Sequence, residues 1–138
     1  ETISHGRSGY MPPFKEVLSA PQINQLAAYV LSLSGKAPVN ADARAGEALF
    51  KSEEAACYYC HAVSGKGRQD LGAANLTDHI WLWADVQDNA DPQKNLAAVR
   101  QVIADGLNRG VMPAWNTRLD ESQIKLLTLY VRQLGVAK

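Results

Sequence analysis

Two thiols and an imidazole fall within five consecutive residues of this 138-residue chain, Cys57-Tyr58-Tyr59-Cys60-His61, and the chain has no other cysteine. Three chemistries use thiols at that spacing. A redox dithiol of the C-x-x-C kind sits where a strand meets a helix in an α/β pattern, and that pattern is missing from this sequence. A zinc site needs two further ligands; only His5 and His79 remain, neither paired at ligand spacing. Covalent haem c attachment asks for what is present, two thiols three positions apart that each reach one vinyl group, with the adjacent imidazole lying against the iron. Cys57, Cys60 and His61 therefore read as a haem c attachment site.

An iron held by one imidazole leaves its sixth position to decide between electron transfer and catalysis. A methionine thioether closes that position and raises the reduction potential relative to a second imidazole. Met112 is the candidate. Pro113 disfavours a helical conformation at Met112, and Gly106 and Gly110 let the chain turn before it, which presents the thioether from an extended loop. A methionine that merely fills a core gap more often lies on a helix face. His79 is the rival ligand, although a lone histidine beside Trp81 and Trp83 is more often simply packed.

The elements that must position these residues are helical. Asp120 and Gln123 form a capping-box start ahead of Ile124, Leu127, Val131 and Leu134 at three- and four-residue spacing. Ser19 and Gln22 begin another helix in the same way, carrying Ile23, Leu26, Val30 and Leu33, with Gly35 as its stop. Asp91-Pro92 reads as N-cap and first turn of a third, ending near Gly106. A fourth runs from about 43 to 51, and Thr77 is a candidate cap for a short fifth through Ile80 and Trp83. No convincing strand is visible. The 46% hydrophobic composition suits one cored domain with an appendage. Fourteen basic residues balance fourteen acidic ones, which excludes a basic footprint for nucleic acid or anionic lipid. No apolar run approaches the roughly 20 residues of a membrane span. The start, Glu1-Thr2-Ile3, has neither an initiator methionine nor a signal-peptide pattern, so the chain is expected to be processed or cut from a longer parent. Cysteines so close together staple no long loop, and give no compartment.

The chain repeats itself. A constant offset of 101 residues superposes Met11 on Met112, Pro12 on Pro113, Phe14 on Trp115, Leu18 on Leu119, Gln22-Ile23 on Gln123-Ile124, Leu26 on Leu127 and Tyr29-Val30 on Tyr130-Val131. Loop, cap and helix match together. Residues 1–36 thus read as the C-terminal remnant of one unit, 37–40 as a linker and 41–138 as a complete copy. Without a haem of its own, the face around Met11, Pro12, Pro13 and Phe14 is expected to pack on the complete copy, pair with another chain or stay disordered.

Ala45 to Phe50, Cys57 to His61, Leu71 to Asp78, Trp81-Leu82-Trp83, Met112 to Trp115 and Leu119 to Val131 resemble class I cytochrome c domains, and more narrowly the second domain of the dihaem subunit III of cbb-type (C-family) cytochrome c oxidases. The resemblance implies an all-α fold of about four to five helices around one covalent haem c, preceded by the C-terminal part of a second such domain, with Met11 as the axial methionine of that domain's haem, whose C-x-x-C-H run would lie upstream. Cys57 and Cys60 would make the thioethers, with His61 and Met112 as the iron ligands. Ala74 and Asn75 would line the haem, the Ala74 carbonyl accepting the His61 N–H; relatives usually have proline there, and alanine holds that carbonyl less rigidly. Trp115 would pack near the haem and donate its indole N–H to a propionate, or serve packing alone. Gly46 and Phe50 would meet Tyr130. Lys66 and Arg68 would join the docking rim, or form a solvated loop, and the acidic segment 84–95 replaces a Gly-rich turn of the family.

The same resemblance implies electron transfer from a periplasmic donor towards the catalytic subunits of a terminal oxidase, on the periplasmic side of a bacterial inner membrane. The parent would carry an anchor although this chain has no span, and the isolated chain would not be an enzyme. A haem c carrier serving a dehydrogenase or nitrogen-oxide reductase, a free shuttle, and a peroxidase-like haem enzyme remain the alternatives.

Overall fold

The computed structural model describes residues 1–88, 91–108 and 111–136. In chain order the elements are α1 (Thr2–His5), β1 (Arg7–Ser8), α2 (Ala20–Leu33), α3 (Ala41–Phe50), α4 (Cys57–His61), a 3-10 turn (Gln69–Leu71), α5 (Pro92–Asp105), β2 (Val111–Met112) and α6 (Glu121–Val136). The fold is all-α, with two strands of only two residues each. It forms two compact units, one of residues 10–108 and one of residues 1–9 with the chain from 109 onward. The sequence repeat suggests a different division, at 36 and 41.

In the larger unit the core belongs to α2. The Ser19 hydroxyl accepts from the Gln22 N–H while the Gln22 side chain accepts from the Ser19 N–H, a reciprocal cap. Ile23, Leu26, Ala27 and Val30 then fall on its buried face, and that face packs on α3 and α5. Asn40, within the expected linker, caps α3 by accepting from the Ala43 N–H at 2.9 Å. Asp91 caps α5 with Pro92 in the first turn, as its sequence indicates.

The crossing of α2 and α3 depends on Gly46. A Cβ at Gly46 would strike the carbonyl of Gln25 and come within 2.9 Å of Tyr29 Cβ. Phe50, one helical turn further on, is fully buried and meets Tyr29 edge to face at 5.3 Å between centroids. The partner expected for both residues was Tyr130; the structure gives Tyr29, its repeat equivalent. Gly46→Ala gains helix propensity but overpacks this crossing, and is expected to cost about 1–3 kcal/mol net, read as a lower urea midpoint at unchanged slope.

Residues 77–83 are not helical. The Asn75 side chain accepts from the Thr77 N–H (3.0 Å) and hydroxyl (2.8 Å), and Asp78 accepts from the Ile80 N–H at 2.9 Å. These i to i+2 bonds close local turns, a conformation that competes with a helix. The acidic segment is tied down by buried Asn95, which accepts from the Gln87 N–H (3.0 Å) and donates to the Gln87 carbonyl (2.9 Å). Lys36 also pairs with Asp88. Residues 89 and 90 of that segment, and Gly110, lie outside the described residues.

In the smaller unit β1 and β2 run antiparallel, Arg7 opposite Met112 and Ser8 opposite Val111, a pairing not anticipated from the sequence. Asp120 accepts from the Gln123 N–H at 2.9 Å and Gln123 accepts from the Asp120 N–H at 3.0 Å, starting α6 at the expected place.

Candidate haem-binding site

The C-x-x-C-H run forms the short helix α4, bracketed by the only two non-glycine residues with positive φ among those described, Ala56 at 47° and Ala62 at 58°. Ala56 is left-handed helical, whereas Ala62, with ψ 158°, takes the positive-φ extended conformation that glycine favours; each costs about 1–3 kcal/mol. Such strain persists where the surroundings over-determine it, and here they do. The chain after His61 folds back on α4, Gly67 N–H donating to the His61 carbonyl and Arg68 N–H to the Cys60 carbonyl, both at 2.9 Å. That return brings Ala74 beside the imidazole.

His61 Nδ1 lies 3.0 Å from the Ala74 carbonyl oxygen. A carbonyl only accepts, so Nδ1 carries the proton and Nε2 is left with its lone pair for a metal. Burial lowers the His61 pKa and the Ala74 bond opposes it, so the ring is neutral at pH 7. Burial likewise pushes the Cys57 thiol up to about 11. Both cysteines are half-buried free thiols.

His61 and Cys57 open into an apolar cavity contained within the larger unit. Leu26 and Val30 of α2, Phe50 of α3, and Val99 and Ile103 of α5 form its floor, while Ala74, Asn75 and Trp81 come from the loops. Its volume is ≈ 270 Å³, just below the range of about 300–1,000 Å³ for cofactor clefts, and it opens to solvent at its mouth. One lining group is polar and unpaired: the Trp81 indole N–H is buried without a hydrogen-bond partner. An apolar macrocycle with an acidic edge suits both properties. The walls take the flat apolar face, and the orphaned donor has an acceptor in a carboxylate.

Of the residues singled out in the sequence, the structure gathers Cys57, His61, Ala74 and Asn75 around this cavity, with Cys60 on the same turn of α4. Met112 and Trp115 belong to the smaller unit, where Met112 lies on β2 and Trp115 carries the Arg118 guanidinium over its ring. The methionine in the cavity is Met11. Its loop is held by an isolated bridge to Leu107, and Met11 and Phe14 pack on the core. Of the three fates considered for the first Met loop, this is packing, on the unit that carries the C-x-x-C-H run. His79 lines a separate polar cleft with Lys36 and Asp88. Arg68 pairs with Asp70 at 2.6 Å, which leaves Lys66 as the exposed cation of the expected rim. Nothing in the sequence signals the Trp81 orphan, because only the folded walls bury that N–H.

A family model described as "Cytochrome C oxidase, cbb3-type, subunit III" matches residues 41–131. The chain is 41% identical to the cbb3-type cytochrome c oxidase subunit FixP of Azorhizobium caulinodans over 98% of this chain and 45% of the relative. It is 42% identical to FixP of Bradyrhizobium diazoefficiens over 88% of this chain and 38% of the relative. With subunit CcoP of Rubrivivax gelatinosus it shares 38% identity over 98% of this chain and 40% of the relative. The chain thus spans less than half the length of these curated relatives. Two of the three alignments reach over nearly the whole chain, and so take in residues that the family model leaves out. No helix among the described residues is long and apolar enough to cross a membrane.

Proposed function

The chain belongs to the family of subunit III of cbb3-type cytochrome c oxidase, and from that membership we propose that it is an electron-transfer module built on one covalent haem c. Cys57 and Cys60 would hold the haem by thioethers, and His61 Nε2 would bind its iron. Haem c supplies a one-electron couple when bound. The observation that carries the reading is the neutral His61, oriented by the Ala74 carbonyl at 3.0 Å and opening with Cys57 into an apolar cavity that also holds a methionine.

A methionine closes the sixth position. The unbroken family match over residues 41–131 supports Met112 in that place; the cavity wall supports Met11. Either thioether excludes exogenous ligands, which separates a relay from a peroxidase-like enzyme. The apolar walls exclude water, and the Ala74 bond fixes the imidazole plane. Residues 41–138 would be one cytochrome domain and 1–36 the tail of a preceding one, joined through 37–40. The parent would be a dihaem, membrane-anchored subunit on the periplasmic side, passing electrons from a soluble redox donor to the other oxidase subunits. Exposed Ile80 and Leu82 at the cavity mouth, with Lys66, give a small docking surface of the kind used in brief redox encounters.

Exposure of the reduced, haem-loaded chain to carbon monoxide tests the relay reading. An unchanged spectrum is expected of a closed iron; ready binding would move the assignment to a ligand-binding haem enzyme. Trp81 takes the role that the sequence suggested for Trp115: its indole N–H would donate to a propionate and keep it ionised. Trp81→Phe keeps the apolar bulk and removes the donor. The propionate pKa then rises, and the fall in reduction potential that accompanies its ionisation moves to higher pH. Redox titrations across pH read that displacement; identical curves for parent and variant would remove Trp81 from the role.

A further inference from the structure

The bond that orients His61 ends on a residue with little to hold it. Ala74 is exposed and has only a methyl group to pack with. Its carbonyl oxygen nevertheless sits 3.0 Å from His61 Nδ1, so the neighbouring chain must place it. On the downstream side the Leu76 N–H donates to the Gly65 carbonyl at 2.7 Å. On the upstream side the ties converge on Gly67 and Arg68.

Gly67 makes room for the acceptor. Its N–H donates to the His61 carbonyl at 2.9 Å, and its φ is 75°. A Cβ on Gly67 would lie 2.5 Å from the carbonyl oxygens of both Ala73 and Ala74, and 2.7 Å from the Ala74 carbonyl carbon. The oxygen that accepts from His61 therefore occupies the space that any side chain at this position would need. Arg68 pins the same stretch to α4. Its N–H donates to the Cys60 carbonyl at 2.9 Å, and its own carbonyl accepts from the Leu71 and Ala73 N–H groups, both at 3.1 Å.

The Arg68 side chain repeats that link. Its guanidinium carbon lies 5.6 Å from the centre of the Tyr59 ring and Nη1 is 3.5 Å from the Tyr59 carbonyl oxygen, while Nε and Nη2 hold the Asp70 carboxylate at 3.3 and 2.6 Å. Tyr59 lies between the two cysteines, and Asp70 is in the 3-10 turn that leads towards Ala74. One planar fork thus joins the C-x-x-C-H helix to the loop that carries the acceptor. An ion pair this exposed adds little to stability; its consequence is placement.

Resting on the haem reading above, we propose that Gly67 and Arg68 are positioning residues that set the reduction potential through the Ala74 carbonyl. A hydrogen bond from Nδ1–H makes the imidazole more basic at Nε2. A more basic ligand favours the oxidised iron and lowers the potential, so displacing the carbonyl raises it. Gly67→Ala displaces it directly. Arg68→Lys keeps the positive charge but loses the planar fork, which separates placement from charge.

The test compares the haem-loaded Gly67→Ala and Arg68→Lys variants with the parent, by redox titration and by solvent exchange of the His61 Nδ1 proton in proton NMR of the reduced form. Both variants are expected to titrate at a higher potential and to exchange that proton faster, by about tenfold in Gly67→Ala, which is what losing one hydrogen bond amounts to, and by less in Arg68→Lys. A role in folding alone moves the urea midpoint and leaves both readings at the parent's values. An unchanged exchange rate in either variant overturns the proposal, and so does an unchanged or lower potential. Should Gly67→Ala take up no haem, Arg68→Lys decides by the same two readings. A parent chain that holds no haem overturns the haem reading instead.

Discussion

Changing Cys57 and Cys60 together to serine abolishes covalent haem. A serine hydroxyl forms no thioether with a vinyl group, and the only remaining bonds would be those to the iron, which denaturation breaks. The expected result is complete loss of haem-linked peroxidase staining at this chain's position on a denaturing gel, with the polypeptide still visible by protein stain. Each single variant keeps one attachment point and so retains weaker staining. The effect follows from the cavity as much as from the motif. Cys57 lines the same apolar space as His61, and burial holds its thiol protonated, with a pKa of about 11, so it is a poor nucleophile for adventitious disulfide or metal chemistry at pH 7. Staining that survives in the double variant would remove these residues from the site.

Phe50→Ala carries the largest expected stability effect. Phe50 is 1% exposed and stands where three features of the site converge: the α2–α3 crossing through Tyr29, the cavity floor, and His61, whose ring centroid is 6.5 Å away. Truncation removes the ring and leaves a hole beside a cavity that already exists, so the surroundings have little to collapse with. Aromatic-to-alanine changes in such cores cost about 3–5 kcal/mol. Phe50→Leu keeps most of the volume and is expected to cost under about 1.5 kcal/mol. Urea unfolding of both variants, followed by helical circular dichroism, checks the ordering. Equal midpoints for the two would show that the ring is not what joins α2 to α3.

The elements most legible in the sequence were those specified by neighbouring residues. Ser19 with Gln22, Asp91 with Pro92, and Asp120 with Gln123 announce α2, α5 and α6, because a cap and the helix that it opens share one short stretch of chain. Asn40 did the same for α3 but sat inside a stretch that reads as linker. Thr77 misled for a related reason: Asn75 and Asp78 close local turns on the Thr77 and Ile80 N–H groups, and no helix follows. The C-x-x-C-H run was legible because its parts are consecutive in sequence. The acceptor for His61 came through the family resemblance, and the structure finds the Ala74 carbonyl where that places it.

The methionine was the least legible part. Met11 and Met112 lie in matching loops, and what seats each loop is backbone hydrogen bonding, which carries no side-chain signature. Sequence order favours Met112 by contiguity with the C-x-x-C-H motif, whereas the cavity encloses Met11. Trp81 was illegible for another reason, since an orphaned donor is a property of the walls around it.

The most direct test of the central claim is the visible and near-infrared spectrum of the chain, oxidised and then reduced, with haem quantified per polypeptide. One haem c per chain, low-spin in both states and with the sulfur-to-iron band in the oxidised form, is the result expected of a closed electron relay on His61 and a methionine. A high-spin spectrum that shifts with peroxide, or a chain without haem, would contradict it.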